Sequence, residues 1–321
     1  MTENDFGLTL SSFESLGDFA DAGLQSTTLA LERAMRSFDE RRVPIAGAAV
    51  HKAADGTLTT IAVGCNDRIP QAGTESIGYP TDHGETSTIR LIEDIGAWDW
   101  GRVVFTTSLS PCIMCNRALT ELHGLGLNKI VVAESQTFPG TKAQLKALSG
   151  MTLLELTNDK AVHMMTTFAR TYPWDWNADI GMVPPAGDNR LLENSALRLR
   201  LTSTHVPNAR SAANAVVVDR AGTVLATASD DRETCNGNPC RSAPIAAMGH
   251  AGSSVNLREC AIGFMTGRDT PVGVAEFGLA SVGCCELFRP AAVFSDAPFD
   301  NELSRLLETG GTRVFDGGNR S

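Results

Sequence analysis

No uninterrupted apolar run in this sequence approaches the ~20 residues that a membrane-spanning helix needs. The stretch from Met1 to Asp21 is acidic and has neither the basic n-region nor the apolar h-region of a secretory signal, so a cytoplasmic protein is expected. Positive charge is the scarcer sign: 27 Lys and Arg against 37 Asp and Glu leave a formal net charge of −10. A protein that holds a phosphate backbone usually carries a basic face, because neutralising phosphates supplies most of that affinity. A small-molecule substrate is therefore expected, with neither nucleic acid nor membrane as partner. Eight cysteines in a reducing compartment do not make a disulfide framework, so the close pair Cys112 and Cys115 reads as a metal or redox pair.

What is there is the composition of a globular chain, 42% hydrophobic and 20% charged. Its 321 residues exceed one typical domain, so two are expected. Residues 28–41 carry apolar positions at helical spacing and stop at Pro44. Two β-rich runs follow, Ala46 to His51 and Thr57 to Val63, joined by the turn Ala54-Asp55-Gly56. The pattern then predicts a helix from Thr86 to Ala97, a strand from Arg102 to Thr107, a helix opening at Pro111 and a strand from Lys129 to Ala133. Helix (Gln144 to Leu148), strand (Thr152 to Leu156) and helix (Val162 to Arg170) complete the first half. Strands separated by helices of this length predict an α/β sandwich.

His83-Gly84-Glu85 stands at the start of one predicted helix, and Pro111-Cys112-Ile113-Met114-Cys115 opens the next. Cys-x-x-Cys at a helix start sets both sulfurs on one side of the first turn, where the helix dipole favours thiolate. One imidazole and two thiolates are three ligands, and catalytic zinc sites keep the fourth tetrahedral position for water. Glu85, two residues beyond His83, reaches that water without binding the metal. His-x-Glu followed by Pro-Cys-x-x-Cys is the signature of zinc deaminases. Two other readings of the motif are a thioredoxin-like redox pair and a structural zinc knuckle completed by Cys65 or His123. The first does not account for the upstream His-x-Glu, and the second needs a fourth ligand, for which the nearest candidates lie in a strand end (Cys65) and beyond the second helix (His123).

The residues resemble the fungal-type cytosine deaminases of the cytidine and deoxycytidylate deaminase superfamily over roughly the first 180 positions. VPIAG (43–47), the Asp-Gly hairpin (55–56), Asn66, HGETSTI (83–89), TTSLSPCIMCNRAL (106–119), Phe138 and PWDWNADIG (173–181) all fall in family order. The resemblance implies a cytidine-deaminase-like α/β/α sandwich and a zinc-dependent hydrolytic deaminase of a free base, cytosine or a close pyrimidine analogue. It implies zinc on His83, Cys112 and Cys115, proton shuttling by Glu85, and help to developing charge from the Cys112 amide. By the same resemblance Asn66 bonds the base ring, Asp179 accepts from its amine, Phe138 and Trp176 close over it, Ile45 lines the floor and Gly84 is a further substrate contact. Two positions depart from the pattern. The stretch 69–82 (IPQAGTESIGYPTD) is longer than in the family, and Asp82 replaces an apolar residue, either orienting His83 or meeting a different substrate edge. Deamination of guanine, another base or a cyclic guanidine is the enzymatic alternative; a zinc-binding scaffold is the non-enzymatic one.

The catalytic domain is expected at 1–181, a Pro/Gly linker at 182–193, and a second domain at 194–321. The second domain reads as a degenerate, non-catalytic copy. Ala213 to Asp219, Ala221-Gly222 and Thr223 to Thr227 repeat strand, turn and strand; Ala291 to Ser295, Asn301 to Glu308 and Thr312 to Phe315 repeat strand, helix and strand. In NPCRSAPIAAM (238–248), Ser242 stands where the histidine belongs and Pro244 where the glutamate belongs, and in Val282 to Leu287 the second thiolate is replaced by Leu287. Rival readings are an unrelated α/β domain and a second metal site from Cys235, Cys240, His250 and Cys284. Because the related deaminases are homodimers, the resemblance implies either a homodimer or an intramolecular pseudo-dimer of the two domains.

Overall fold

The computed structural model describes residues 6–68, 79, 81–180, 214–219, 221–230, 232, 237–252, 255, 257–266, 290, 292–309 and 312–315. Two compact units emerge, Met1–Asp67 with Asp82–Trp176, and Arg68–Thr81 with Asn177–Ser321. Of residues 68–81, the described Arg68, Tyr79 and Thr81 fall in the second unit. The expected linker and the Val282 to Leu287 stretch lie outside the described residues.

The first unit is a five-stranded sheet in the order β2-β1-β3-β4-β5: β1 Ala46–Lys52, β2 Leu58–Cys65, β3 Val103–Thr107, β4 Lys129–Val132 and β5 Thr152–Glu155. β1 runs antiparallel to β2 and β3, while β3, β4 and β5 are parallel. The turn that joins β1 to β2 holds Gly56 at φ 89°, a left-handed conformation that favours glycine. Helix α1 (Ala20–Asp39) lies on the sheet through small residues at helical spacing, Gly23, Ser26, Thr27, Ala30 and Ala34. Its buried Ser26 and Thr27 hydroxyls bond Thr106 of β3 at 2.7 and 3.2 Å. Period-2 alternation then turns Thr107, the next residue, to the opposite face. The other helices of this unit are α2 (Gly84–Arg90), α3 (Ile113–Gly124), α4 (Lys142–Lys146), α5 (Asp159–Thr171) and α6 (Pro173–Asp179), the last running on past Trp176.

The helix expected from Thr86 to Ala97 is shorter. It ends at Arg90; a 3-10 turn, Ile95–Ala97, stands in its second half and another, Trp100–Arg102, follows, with the Asp94 carboxylate accepting from the Ala97 amide and the Asp99 carboxylate from the Gly101 amide. Buried Ile92 and Ile95 imitate helical spacing, and the Trp100 indole donating to the Ile95 carbonyl pins the segment in its irregular path.

The second unit contains β6 Asn214–Val218, β7 Val224–Ser229, β8 Ala261–Met265, β9 Ala292–Ser295 and β10 Arg313–Phe315, in the order β7-β6-β8-β9-β10. The directions repeat too: antiparallel for β7-β6-β8 and parallel for β8-β9-β10. Both hairpins carry a register shift, between Ala49 and Val50 in β1 and between Val217 and Val218 in β6. With those bulges superposed, Phe105 of β3 and Ile262 of β8 hold equivalent places, opposite Ala49 and Val217. Two helices are described here, α7 (Ala243–Ala251) and α8 (Asn301–Thr309).

Candidate active site

Two helix starts build the site. His83 is the N-cap of α2 and Cys112 the N-cap of α3, and the Cys112 sulfur accepts from the Cys115 amide. N-cap residues stand outside the helical backbone with their side chains over the first turn, so two adjacent helices opening toward one another bring the three donors together. Helix α2 gets close enough because Gly84 has no side chain: a Cβ there would lie 2.7 Å from the Ala46 backbone. Thr88 locks the contact, accepting from the Gly64 amide and donating to the Gly84 carbonyl.

His83 Nδ1 lies 3.4 Å from Cys112 Sγ and 3.5 Å from Cys115 Sγ, and the sulfurs are 3.6 Å apart. A tetrahedral zinc with bonds near 2.3 Å to sulfur and 2.0 Å to nitrogen requires N–S edges of ~3.5 Å and an S–S edge of ~3.8 Å. The donor set and its spacing therefore fit zinc, and among the described residues this is the one His/Cys/Asp/Glu group close enough to hold a metal. The sulfurs are not equivalent. A hydrogen bond from Cys115 and the His83 imidazole hold the Cys112 thiol far below its ordinary value, whereas burial drives Cys115 up. A coordinated dication deprotonates both outright.

Glu85, in the first turn of α2, is buried beside this group. Burial raises its carboxyl above the ordinary range and the Cys112 sulfur adds to the rise, while a hydrogen bond from Thr107 opposes it. The Thr107 hydroxyl lies 2.7 Å from Glu85 Oε1 and 2.6 Å from the Leu109 carbonyl. It has one proton to donate, so it serves the carboxylate when Glu85 is charged and the carbonyl when Glu85 carries the proton.

Residues 24–134 match the family model of the cytidine and deoxycytidylate deaminase zinc-binding region. A cytosine deaminase of Candida albicans is 29% identical over 159 residues, covering 50% of this chain and 95% of the relative. Two solved structures align as well. One comes from a study of A-to-I editing by tRNA deaminases at the wobble position of transfer RNA, with 18% identity over 45% of this chain and 99% of that one, and a TM-score of 0.31. The other is a mutant protein in complex with 8-azaguanine, with 21% identity over 53% of this chain and 100% of that one, and a TM-score of 0.34.

Around the His83, Cys112 and Cys115 group the other expected residues fall into pairs. Ile45 and Asn66 are both buried and are joined by the Asn66 amide donating to the Ile45 carbonyl. Phe138 and Trp176 meet edge to face, with ring centroids 6.2 Å apart. Asp179 belongs to the second unit, where buried Arg68 donates to its carboxylate and its carbonyl.

Several side chains that position the site escaped the sequence reading. Thr107 and Arg68 are two. Asn116 of α3 donates to the Thr141 carbonyl and hydroxyl, and Ser110 donates to the Pro139 carbonyl, tying the Phe138 loop to the cysteine loop. Asp82 has a partner in Arg90, whose Nε and Nη2 donate to the two carboxylate oxygens. Tyr79 packs against Gly249 of α7 within the second unit. The family-like stretches 83–89 and 106–119 contain Arg90's helix and Thr107, but only the pairing across the fold distinguishes them from surface and core residues.

Of the suggested second metal site, Cys240 is buried and His250 is exposed with its Nδ1 on the Thr227 carbonyl, while Cys235 and Cys284 lie outside the described residues.

Proposed function

We propose that this chain is a hydrolytic deaminase of a free nucleobase, cytosine or a close pyrimidine analogue. One observation carries the reading: a buried carboxyl, Glu85, stands beside a three-donor group that fits zinc and to which no other His, Cys, Asp or Glu among the described residues adds a ligand, the donor count of a catalytic zinc site. Bound zinc supplies Lewis acidity and a nucleophilic water at neutral pH. Glu85, with its raised proton affinity, would take one proton of the attacking water and give it to the ring nitrogen, then take the second from the hydroxyl so formed and deliver it to the departing amine. Thr107 follows it by exchanging acceptors. The Cys112 amide at the start of α3 supports the developing charge. Asn66 reads the polar edge of the base, Ile45 lines the floor, Gly84 is a further contact, and Phe138 and Trp176 hold its face. The name of the Candida albicans relative supports cytosine. Free Cys112 and Cys115 thiols suit the reducing, cytoplasmic setting that this reading requires; no described helix is long and apolar enough to cross a membrane.

The test is ammonia release from cytosine, 5-methylcytosine, guanine, adenine and cytidine by zinc-loaded protein. Turnover of the pyrimidine bases with rejection of cytidine supports the reading. A preference for guanine replaces the substrate and keeps the chemistry; no release from any of the five, with zinc bound, removes the enzyme.

The same proposal makes the second unit a non-catalytic copy. Ser242 caps α7 with extended backbone (φ −65°, ψ 155°), as His83 caps α2 (φ −76°, ψ 173°), so a hydroxyl occupies the metal-histidine position and Pro244 the glutamate position. A hydroxyl is a poor zinc donor beside imidazole or thiolate.

A further inference from the structure

The chain leaves the first unit after Asp67 and re-enters it at Asp82, next to the metal histidine. The two crossing residues are tied together, since the Asp67 amide donates to the Asp82 carbonyl at 3.0 Å. Each also has its own cation. Arg42 Nη1 meets Asp67 Oδ1 at 2.5 Å, and Arg90 Nη2 meets Asp82 Oδ2 at 2.5 Å. Asp82 is 1% exposed, and Arg90 grips both of its oxygens, a planar fork on a carboxylate. Arg90 is the last residue of α2, and Asp82 immediately precedes its N-cap. The ion pair therefore spans the whole helix, fastening the residue before His83 to the helix end.

We propose that Arg90 is a positioning residue for the zinc site, acting through Asp82 to fix the backbone of His83, with Arg42–Asp67 holding the opposite side of the same root. Asn66, on the near side, and His83, on the far side, then keep their places; Tyr79, of the second unit, packs against Gly249 of that unit. A helix of seven residues has too few internal hydrogen bonds to hold its own N-terminus rigid, so an external brace is what a metal ligand placed there needs. The proposal rests on His83 being a zinc ligand.

The experiment compares full-length wild type with Arg90→Met and Arg90→Lys, and with Arg102→Met as control. Arg102 bonds the Lys52 and Ala53 carbonyls and so braces a hairpin. Three quantities are measured: zinc content, the rate of zinc release to a chelator, and thermal midpoint. For Arg90→Met we expect zinc release faster by about tenfold, the range seen when groups supporting a ligand are removed. Arg90→Lys, which keeps the charge and loses the fork, should fall between. Arg102→Met should lower the midpoint and leave zinc release at the wild-type rate. Unchanged release in Arg90→Met, or equal acceleration in Arg102→Met, overturns the positioning role while leaving the zinc site standing. A wild-type protein that holds no zinc overturns both.

Discussion

Among single side chains, Glu85 and Thr107 have separable jobs. Glu85→Gln keeps the size and burial of the group and removes its ability to carry a proton. The variant should bind zinc as wild type does and lose turnover by about 10² to 10⁴-fold, the usual worth of a positioned general acid–base. Zinc content together with kcat checks this, and activity within tenfold of wild type would take Glu85 out of the reaction. Thr107→Val removes one hydrogen bond, worth about 1 kcal/mol, and leaves the carboxyl in place. Its expected cost is roughly fivefold in kcat with KM little changed. A variant that changed KM alone would make Thr107 part of the binding surface instead.

Among elements, the decisive contact is α2 lying directly on β1 and β2. It depends on the absence of side chains at the crossing, where a Cβ on Gly84 would meet Ala46 at 2.7 Å and one on Gly64 would meet the Thr88 amide at 2.3 Å. Backbone on both sides leaves nothing flexible to yield. Gly84→Ala should therefore push α2 off the sheet, at a cost of about 1–3 kcal/mol typical of overpacking, and weaken zinc binding at the same time. Gly124→Ala is the contrasting case, since nothing lies within 4 Å of a Cβ at the end of α3. That change should be neutral or stabilise by up to about 1 kcal/mol, because alanine loses less backbone entropy in a helix. Thermal unfolding of the two variants checks the sign of each. Sequence patterning found these helices unevenly. The start of α2 was legible from His83 and Glu85, whereas its end was not, because Ile92 and Ile95 keep a helical rhythm through a segment that the Asp94 and Asp99 side chains turn aside.

For the chain as an entity, the metal and the fold are linked. The three donors come from the first turns of two separate helices, the N-caps His83 and Cys112 and the third residue of α3, Cys115, so zinc fastens α2 to α3 and its removal should loosen the first unit. A ligand at a hundredfold its Kd stabilises by about 2.7 kcal/mol, so chelation should lower the midpoint of the first unit and readdition should restore it. The copy reading of the second unit predicts about one zinc per chain, abolished by Cys112→Ala. Two zincs by elemental analysis, or metal retained in that variant, would assign ligands to the second unit.

The sequence by itself determined the zinc donors and the character of the sheet. His-x-Glu and Cys-x-x-Cys are local patterns, whose chemistry follows from spacing at a helix start, and the alternation of helix and strand is a property of short segments. It also pointed to a second sheet of the same strand pattern; both hairpins shift register at corresponding places, and Ser242 caps α7 as His83 caps α2. Only the tertiary structure decided the partners. That Thr107 serves Glu85, that Arg90 rather than the histidine takes Asp82, and that Arg68 takes Asp179 are choices made across 22, 8 and 111 residues of chain. Hydrogen-bond capacity is written into each side chain, but its use depends on which groups the sheet register and helix packing bring within about 3 Å, and no short-range pattern encodes that distance.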